Sequence, residues 1–299
     1  MTAPVQTETL QSALARAIVT LEQPGSLLAM QSDADRRREA ESLLLAALGL
    51  PRSMLYRDPD HRLQSTESAR VSAWLNRRRQ GVPLAYLVGH REFWSLDLEV
   101  TPDVLIPRPE TEHLVELALQ RGSTLVAQRD RPLRLLELGT GSGAIALALR
   151  QERPDWSIVA TDVSAAALAV AQKNAQRLGI FDIDFLAGDW FLPVEHLVFD
   201  LILSNPPYVA ADDPCLAGDS LRYEPPLALT PGKDALEDLR HIIRSAKTHL
   251  HPDGWLLLEH GNTQAQAVRA ELLASGYTDV RSHTDLAGHG RNSEGRLRY

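Results

Sequence analysis

The chain is predicted to be α/β: a doubly wound, mainly parallel sheet preceded by a small, wholly helical domain. Three observations lead there. From residue 133 onward, short apolar runs alternate with amphipathic helical stretches, as βαβ units do. Residues 1 to about 80 carry helical periodicity alone. Between the two, Tyr86–Ile106 changes to a rough two-residue alternation punctuated by Ser95, Asp97 and Pro102, which reads as strands or a hairpin. The expected division is a helical domain over 1–82, a β-hairpin linker over 83–106 and the α/β domain over 107–299.

In the first part, Leu10, Ala13, Leu14, Ile18 and Leu21 fall at helical spacing. Ala40, Leu43, Leu44, Ala47 and Leu48 repeat the pattern until Gly49 and Pro51 stop that helix. Ser65–Asn76 offers another helix ahead of Gly81-Val82-Pro83. The clusters Arg36–Arg38 and Arg77–Arg79 read as solvated helix faces, the first being flanked by Asp33, Asp35 and Glu39. A docking surface for a macromolecule is the rival reading of both.

Phe93, Trp94, Leu96, Leu98 and Val100 supply the apolar positions of the hairpin region. Ile106-Pro107-Arg108-Pro109-Glu110-Thr111-Glu112 follows, then an amphipathic helix His113–Arg121, whose first turn suits Glu110 and Glu112 on dipole grounds. The alternation then runs LRLLEL, AIALALRQ; SIVATD, AAALAVAQKNAQRLG; IDFLAGD; FDLILS; a helix from about Leu236 to Leu250; GWLLLEH; a helix Thr263–Ser275; and closing strand segments near Thr278–Ser282 and Arg296–Tyr299. Ligands of such sheets sit outside the carboxyl ends of strands, where strand order reverses.

Bulk properties narrow the function. The 299 residues are 44% hydrophobic and 23% charged, an ordinary globular composition. A net charge of -8 argues against a protein that wraps a polyanion, so no direct nucleic-acid partner is expected. Cys215 is the only cysteine, which excludes an intramolecular disulfide and a thiolate metal cage; no metal is expected. There is no signal-peptide pattern, no transit-peptide composition and no apolar run of membrane-spanning length. A cytoplasmic monomer away from membranes is the expectation.

Two stretches carry chemistry. Glu137-Leu138-Gly139-Thr140-Gly141-Ser142-Gly143 follows the first strand of the alternating part and opens a helix, with glycines that let backbone approach a ligand. Alone, this G-x-G-x-G loop is split between a dinucleotide and an adenosyl sulfonium cofactor. Asp162 ends the next strand, where a carboxylate can accept from both ribose hydroxyls, although a helix-capping role competes. Asp189-Trp190 ends the third, offering an acceptor for an adenine amino group and a ring to stack on it. Glu137 adds negative charge for an ammonium and a sulfonium. Together these strand ends favour S-adenosylmethionine, held by Glu137, Gly139, Thr140, Gly141, Ser142, Gly143, Asp162, Asp189 and Trp190, with Asn205 at its border.

The second stretch is Phe199–Tyr208, FDLILSNPPY. An apolar buried strand breaks into Asn205-Pro206-Pro207-Tyr208, and each proline forces the residue before it to be extended. The turn presents the Asn205 amide oxygen and the Pro206 carbonyl as acceptors beside the Tyr208 ring, which suits a planar group bearing an NH2. Substrate contact is therefore expected at Asn205, Pro206, Pro207 and Tyr208, with Asn205, Pro206 and Tyr208 as catalytic residues. An amide nitrogen is a poor nucleophile, and acceptors on both N–H bonds orient it and strengthen as it becomes positive. No general base need act before methyl transfer.

These motifs resemble the HemK-type (PrmC-type) glutamine N5-methyltransferases that modify peptide chain release factors. The likeness rests on Asn205–Tyr208, Glu137–Gly143, Thr161-Asp162, Asp189-Trp190, Tyr223-Glu224-Pro225 and Leu258-Glu259-His260-Gly261, and spans nearly all of 84–299. It implies a seven-stranded class I S-adenosylmethionine-dependent methyltransferase domain. It also implies a substrate, the glutamine of the GGQ loop in class 1 release factors, and a helical domain that helps hold that partner. Ile106–Glu112 follows the release-factor type and differs from sister enzymes that modify a ribosomal-protein glutamine. Tyr223 stands where Phe is more usual. Three rivals remain at this level: a nucleic-acid adenine N6-methyltransferase, disfavoured by the acidic charge; a docking scaffold without catalysis, disfavoured by an intact Asn205; and an oxidoreductase, which requires nicotinamide or flavin to bind better.

Overall fold

The computed structural model describes residues 8–22, 32–127, 131–218, 220–285 and 287–298. Contacts divide the chain into two units, Met1–Gly89 with Ala217–Tyr223, and His90–Leu216 with Glu224–Tyr299. The first is helical: α1 (Leu10–Glu22), α2 (Asp33–Leu48), α3 (Met54–Arg57), α4 (Ser65–Arg79) and α5 (Leu84–Val88). Helix α2 starts at Ser32, whose side chain accepts from the Asp35 N–H, and stops at Gly49 with φ +67°, a left-handed position that glycine takes without strain. The apolar residues at helical spacing form the core, with Leu10, Leu21, Leu43 and Leu44 all at 0% exposure. Tyr223 joins this core, and its hydroxyl donates to the Gln80 carbonyl at 2.8 Å, a bond that Phe could not make.

The arginine clusters depart from the solvated reading. Arg36 and Arg78 are 7% and 8% exposed. Arg36 pairs with Asp33, and Arg78 pairs with Glu39 while donating to the Val82 carbonyl. Their stems pack as hydrocarbon while the charged ends find partners. Arg38 does face water.

The second unit opens with a hairpin, β1 (His90–Phe93) against β2 (Leu96–Glu99). Trp94 and Ser95 form its two-residue turn with φ +51° and +59°, the primed geometry that matches strand twist. Trp94 is thus a turn residue and not a strand residue. Its N–H donates to Glu112 Oε1 and its indole to Glu152 Oε1, which offsets the strain of a bulky residue there. Phe93, Leu96 and Leu98 belong to the core of this unit, so the hairpin packs on the sheet domain.

After α6 (Glu112–Val126) the units alternate: β3 (Arg134–Leu138), α7 (Ala144–Glu152), β4 (Ser157–Asp162), α8 (Ala165–Leu178), β5 (Ile183–Ala187), β6 (Phe199–Ser204), α9 (Pro226–Leu229), α10 (Glu237–Ser245), β7 (Leu250–Glu259), α11 (Ala265–Ala274), β8 (Thr278–Thr284) and β9 (Gly290–Arg296). They build a seven-stranded sheet ordered β5-β4-β3-β6-β7-β9-β8. Pairs from β5 through β7 are parallel, and β9 is antiparallel to both β7 and β8. Strand order reverses between β3 and β6, which sets the ligand crevice there. Helix α10 stops at Ser245, short of the expected Leu250, because Leu250 already pairs with Phe199 as part of β7.

Strand β9 replaces the closing segment expected at Arg296–Tyr299. It carries Asn292, Ser293 and Glu294 inside the sheet at 1% exposure or less, so no apolar alternation marks it. Two of these side chains are held from neighbouring elements: Arg121 grips Glu294 in a two-pronged pair, His283 lies 3.0 Å from the same carboxylate, and Ser293 bonds His260, whereas the Asn292 side-chain amide has no hydrogen-bond partner among the described residues. Asp200 on β6 is likewise fully buried and takes both Arg131 prongs and the Arg134 N–H.

Helix α6 approaches Trp156 so closely that a Cβ on Gly122 would lie 2.1 Å from the indole Cη2. Trp156 is 1% exposed and has no room to swing. Gly122→Ala is expected to lower unfolding free energy by about 1–3 kcal/mol despite its better helix propensity, the usual cost of overpacking. Urea titration reads this directly; an unchanged midpoint would mean that the indole yields. Among the described residues, no helix is long and apolar enough to cross a membrane.

Candidate active site

A cavity of about 470 Å³ opens beyond the carboxyl ends of β3, β4, β5 and β6, where strand order reverses. Its floor is the glycine loop. Gly139, Gly141 and Gly143 have φ of +71°, +55° and +82°. The Gly139 and Thr140 N–H groups both donate to the Thr161 carbonyl, at 2.9 and 3.0 Å, which ties the loop to the end of β4. Gly143 then caps α7, and a Cβ there would lie 3.1 Å from the Ala171 Cβ on α8. The loop is therefore both bent and close-packed, as the glycines predicted.

Three acids surround the loop, each in a different state. Glu137 is 1% exposed, and its Oε2 accepts from Thr140 Oγ1 at 2.8 Å and from the Ala146 N–H at 3.0 Å. Burial dominates and pushes its carboxyl from the usual 4.5 up to about 8, with Asp162 adding repulsion. Asp162 accepts from the Gly141 N–H through Oδ2 and from the Ser164 N–H through Oδ1, both at 2.8 Å; burial still raises its pKa. The capping of α8 belongs to Ser164, whose side chain accepts from the Ala167 N–H, so Asp162 is left to the cavity wall. Asp189 and Trp190 follow β5 and line the cavity as well, Asp189 exposed and Trp190 half-buried with φ +43°. Thr161 Oγ1 holds that strained residue by donating to the Trp190 carbonyl at 3.2 Å.

The turn after β6 meets the same cavity. Ser204 Oγ donates to the Leu138 carbonyl at 2.8 Å, pinning the end of β6 to the end of β3. Asn205 lines the cavity; its Nδ2 donates to Thr111 Oγ1 at 3.2 Å, and its Oδ1 is buried with no partner. A buried acceptor left unpaired costs free energy in the unliganded protein and invites a donor. Pro207 also lines the cavity. Pro206 is buried, and Tyr208 packs against the core that includes Leu256 and Leu258; neither is among the lining residues. The Tyr208 hydroxyl donates to Glu259 Oε1 at 3.4 Å, and burial raises the phenol pKa. Glu259 is itself 1% exposed, and burial pushes it up to about 7.

Sequence reasoning did not assign the remaining wall. Val104, Leu105, Pro107, Arg108 and Thr111 close one side, and Pro225, Leu227, Thr230 and Asp238 another. Glu224, 3% exposed, joins the two by accepting from the Ile106 N–H at 3.0 Å and pairing with Arg108. Segments 106–112 and 223–225 were visible as motifs, but Thr111 is flanked by two acids that suit a helix start, and nothing in the string shows that it faces Asn205 across 94 residues.

The lining suits an adenosyl sulfonium cofactor. A loop with glycine at every second position, carboxylates beside it and an aromatic ring answer to its cationic, hydroxyl-bearing and planar parts.

Comparison with known proteins agrees with this geometry. The chain matches a methyltransferase domain family over residues 129–287 and a PrmC N-terminal domain family over residues 20–89. It is 45% identical over 273 residues to the release factor glutamine methyltransferase of Xylella fastidiosa, covering 91% of this chain and 98% of that one. The enzymes of the same description from Pseudomonas aeruginosa and Escherichia coli are 46% and 43% identical, over 85% and 89% of this chain and 90% and 94% of theirs. Solved structures share the fold at lower identity. The hMettl16 catalytic domain in complex with MAT2A 3′UTR hairpin 6 superposes at TM-score 0.54 and 17% identity, covering 79% of this chain and 82% of that one. The T. thermophilus 16S rRNA N2 G1207 methyltransferase in complex with AdoMet and guanosine gives 0.50 at 18% identity, covering 70% and 50%.

Proposed function

The chain belongs to the release factor glutamine methyltransferases, and from that premise we propose that it transfers a methyl group from S-adenosylmethionine to the side-chain amide nitrogen (N5) of the glutamine in the GGQ motif of class 1 peptide chain release factors. The observation that carries this reading is Asn205, with its Nδ2 committed to Thr111 and its Oδ1 buried, unpaired and next to the cavity.

S-adenosylmethionine supplies an electrophilic methyl group when bound. Gly139, Gly141 and Gly143 leave room for it against the backbone, with Thr140 and Ser142 between them. Asp162 meets ribose hydroxyls, and Asp189 and Trp190 meet the adenine. Ionised Glu137 opposes its positive charge. At the substrate, Asn205 Oδ1 and the Pro206 carbonyl accept the two amide hydrogens of the glutamine, and Pro207 and Tyr208 complete the turn that holds them. These bonds turn the nitrogen's remaining face to the methyl group and hold it in reach. They strengthen as nitrogen gains positive charge, so they favour the transition state over the bound amide. The proton leaves after the methyl has arrived, so no side chain has to remove it beforehand. We take the helical residues 1–82 to dock the release factor, and the enzyme to act in the cytoplasm as a monomer without nucleic acid.

The test is mass spectrometry of a purified class 1 release factor after incubation with this protein and isotope-labelled S-adenosylmethionine. The label is expected on the glutamine of GGQ. A label on a ribosomal-protein glutamine or on adenine, with the release factor untouched, would overturn the assignment.

A further inference from the structure

The cavity is acidic at almost every charged position. Asp103, Glu137, Asp162, Asp189 and Asp238 all line it, and Arg108 is the only cation among its described lining residues. Arg108 follows Ile106-Pro107 in the wall ahead of α6, and its side chain is 32% exposed. Its Nη2 donates to Glu224 Oε1. The same carboxylate, 1% exposed, accepts the Ile106 N–H at 3.0 Å through Oε2. Glu224 thus grips both the backbone and the side chain of this segment, which fixes the place of the guanidinium. Among the described residues, Arg108 Nε and Nη1 have no acceptor.

An adenosyl sulfonium cofactor carries one anion, the α-carboxylate of its methionine part. The side chains matched to it so far answer its other groups: Asp162 the ribose, Asp189 and Trp190 the adenine, Glu137 the positive charge. None of these acids can receive a carboxylate, since an ionised acid has no hydrogen to give. Successive backbone N–H groups of a glycine loop can collect an anion, but here they are committed within the protein. The Gly139 and Thr140 N–H groups donate to the Thr161 carbonyl, Gly141 N–H to Asp162 Oδ2, and Gly143 N–H to the Thr140 carbonyl. Thr140 Oγ1 donates to Glu137. An anion entering this cavity is repelled by its acids and attracted by one side chain.

We propose that Arg108 binds the α-carboxylate of S-adenosylmethionine, with Glu224 as the positioning residue that holds the guanidinium in place. A planar guanidinium with a single N–H committed keeps donors on all three nitrogens, enough for a carboxylate to accept through both oxygens. This rests on the reading of the cavity as the S-adenosylmethionine site.

The test is the calorimetric affinity of the full-length protein for S-adenosylmethionine and for its decarboxylated analogue, which keeps the adenosine, the sulfonium and the amine. Arg108→Met is expected to weaken S-adenosylmethionine about 10–100-fold, the loss of a charge-assisted contact. The analogue should bind this variant as well as it binds wild type, or better, because the arginine repels a ligand with no anion. Arg108→Lys, which keeps the charge without the fork, should fall between. Removing Arg108 leaves Glu224 buried and unpaired, so Arg108→Met combined with Glu224→Gln is measured as well and should show the same shift in the ratio of the two affinities. That ratio does not depend on how much of a variant is folded. Equal weakening of both ligands would make Arg108 part of the packing of the wall and overturn the proposal. Unchanged S-adenosylmethionine affinity would overturn it too, and a raised KM for the release factor would then place the guanidinium on the protein substrate. Wild type that binds neither ligand would instead sink the parent reading of the cavity.

Discussion

Asn205→Ala is expected to slow methyl transfer about 10²–10³-fold while leaving the protein as stable as before or slightly more so. The rate effect follows from removing one polar partner that strengthens in the transition state, a loss of roughly 3–4 kcal/mol of barrier lowering in comparable cases. The stability effect has the opposite sign for a structural reason. Alanine removes the bond to Thr111, worth about 1 kcal/mol net, but it also removes a buried oxygen that has no partner and costs about 1–3 kcal/mol. The unliganded protein carries that acceptor at a cost, as a site built for a donor must. Single-turnover rates and urea midpoints, measured on the same preparation, check both halves. A large loss of stability with the rate loss would assign Asn205 to the fold and leave the turn without its function.

How much of this was legible in the string varies with the physics behind each element. Strand Phe199–Ser204 was readable from its apolar centre, Leu201–Leu203, because a strand buried on both faces carries such a run and proline follows abruptly. The glycine loop was readable because positive φ at three alternate positions leaves few residue choices. Strand β9 was not, since it buries Asn292, Ser293 and Glu294, and the partners of the last two, Arg121, His260 and His283, come from distant stretches. Hydropathy cannot mark a segment whose burial is made tolerable by remote hydrogen bonds. The same holds for Arg36 and Arg78, which read as solvent-facing until their ion pairs within the helical unit are visible. The hairpin turn was missed because Trp94 and Ser95 replace the Asn-Gly that usually announces positive φ. Glu137, Asp162 and Asp189, picked out by their places at strand ends, all line the cavity, since position at a carboxyl end is a local property. Thr111 was missed because its meaning lies in which atom faces it.

Glu137 makes the second large expectation, a cofactor affinity that depends on pH through one buried carboxyl. In the unliganded protein its pKa is about 8, raised by burial and by Asp162 against the opposing bonds from Thr140 and the Ala146 N–H. At pH 7 most molecules therefore hold Glu137 protonated. A cationic ligand favours the ionised form, so binding expels that proton, and affinity is expected to rise as pH climbs from about 6 toward 8 and then level off. Glu137→Gln mimics the protonated state. It should bind S-adenosylmethionine about 10–100-fold more weakly than wild type above pH 8, the worth of one charge-assisted contact, and nearly equally well at pH 6. Comparing the two proteins at each pH cancels titration of the ligand's own amino group. Stability runs the other way: a carboxyl whose folded pKa lies above its unfolded value of 4.5 is an increasing burden as pH rises from there to about 8. The unliganded Gln variant should consequently be the more stable protein at pH 8, and the two should converge near pH 4.5. Calorimetry in buffers of different ionisation enthalpy reads the expelled proton directly. Equal proton release by wild type and Glu137→Gln would remove this carboxyl from the cation site.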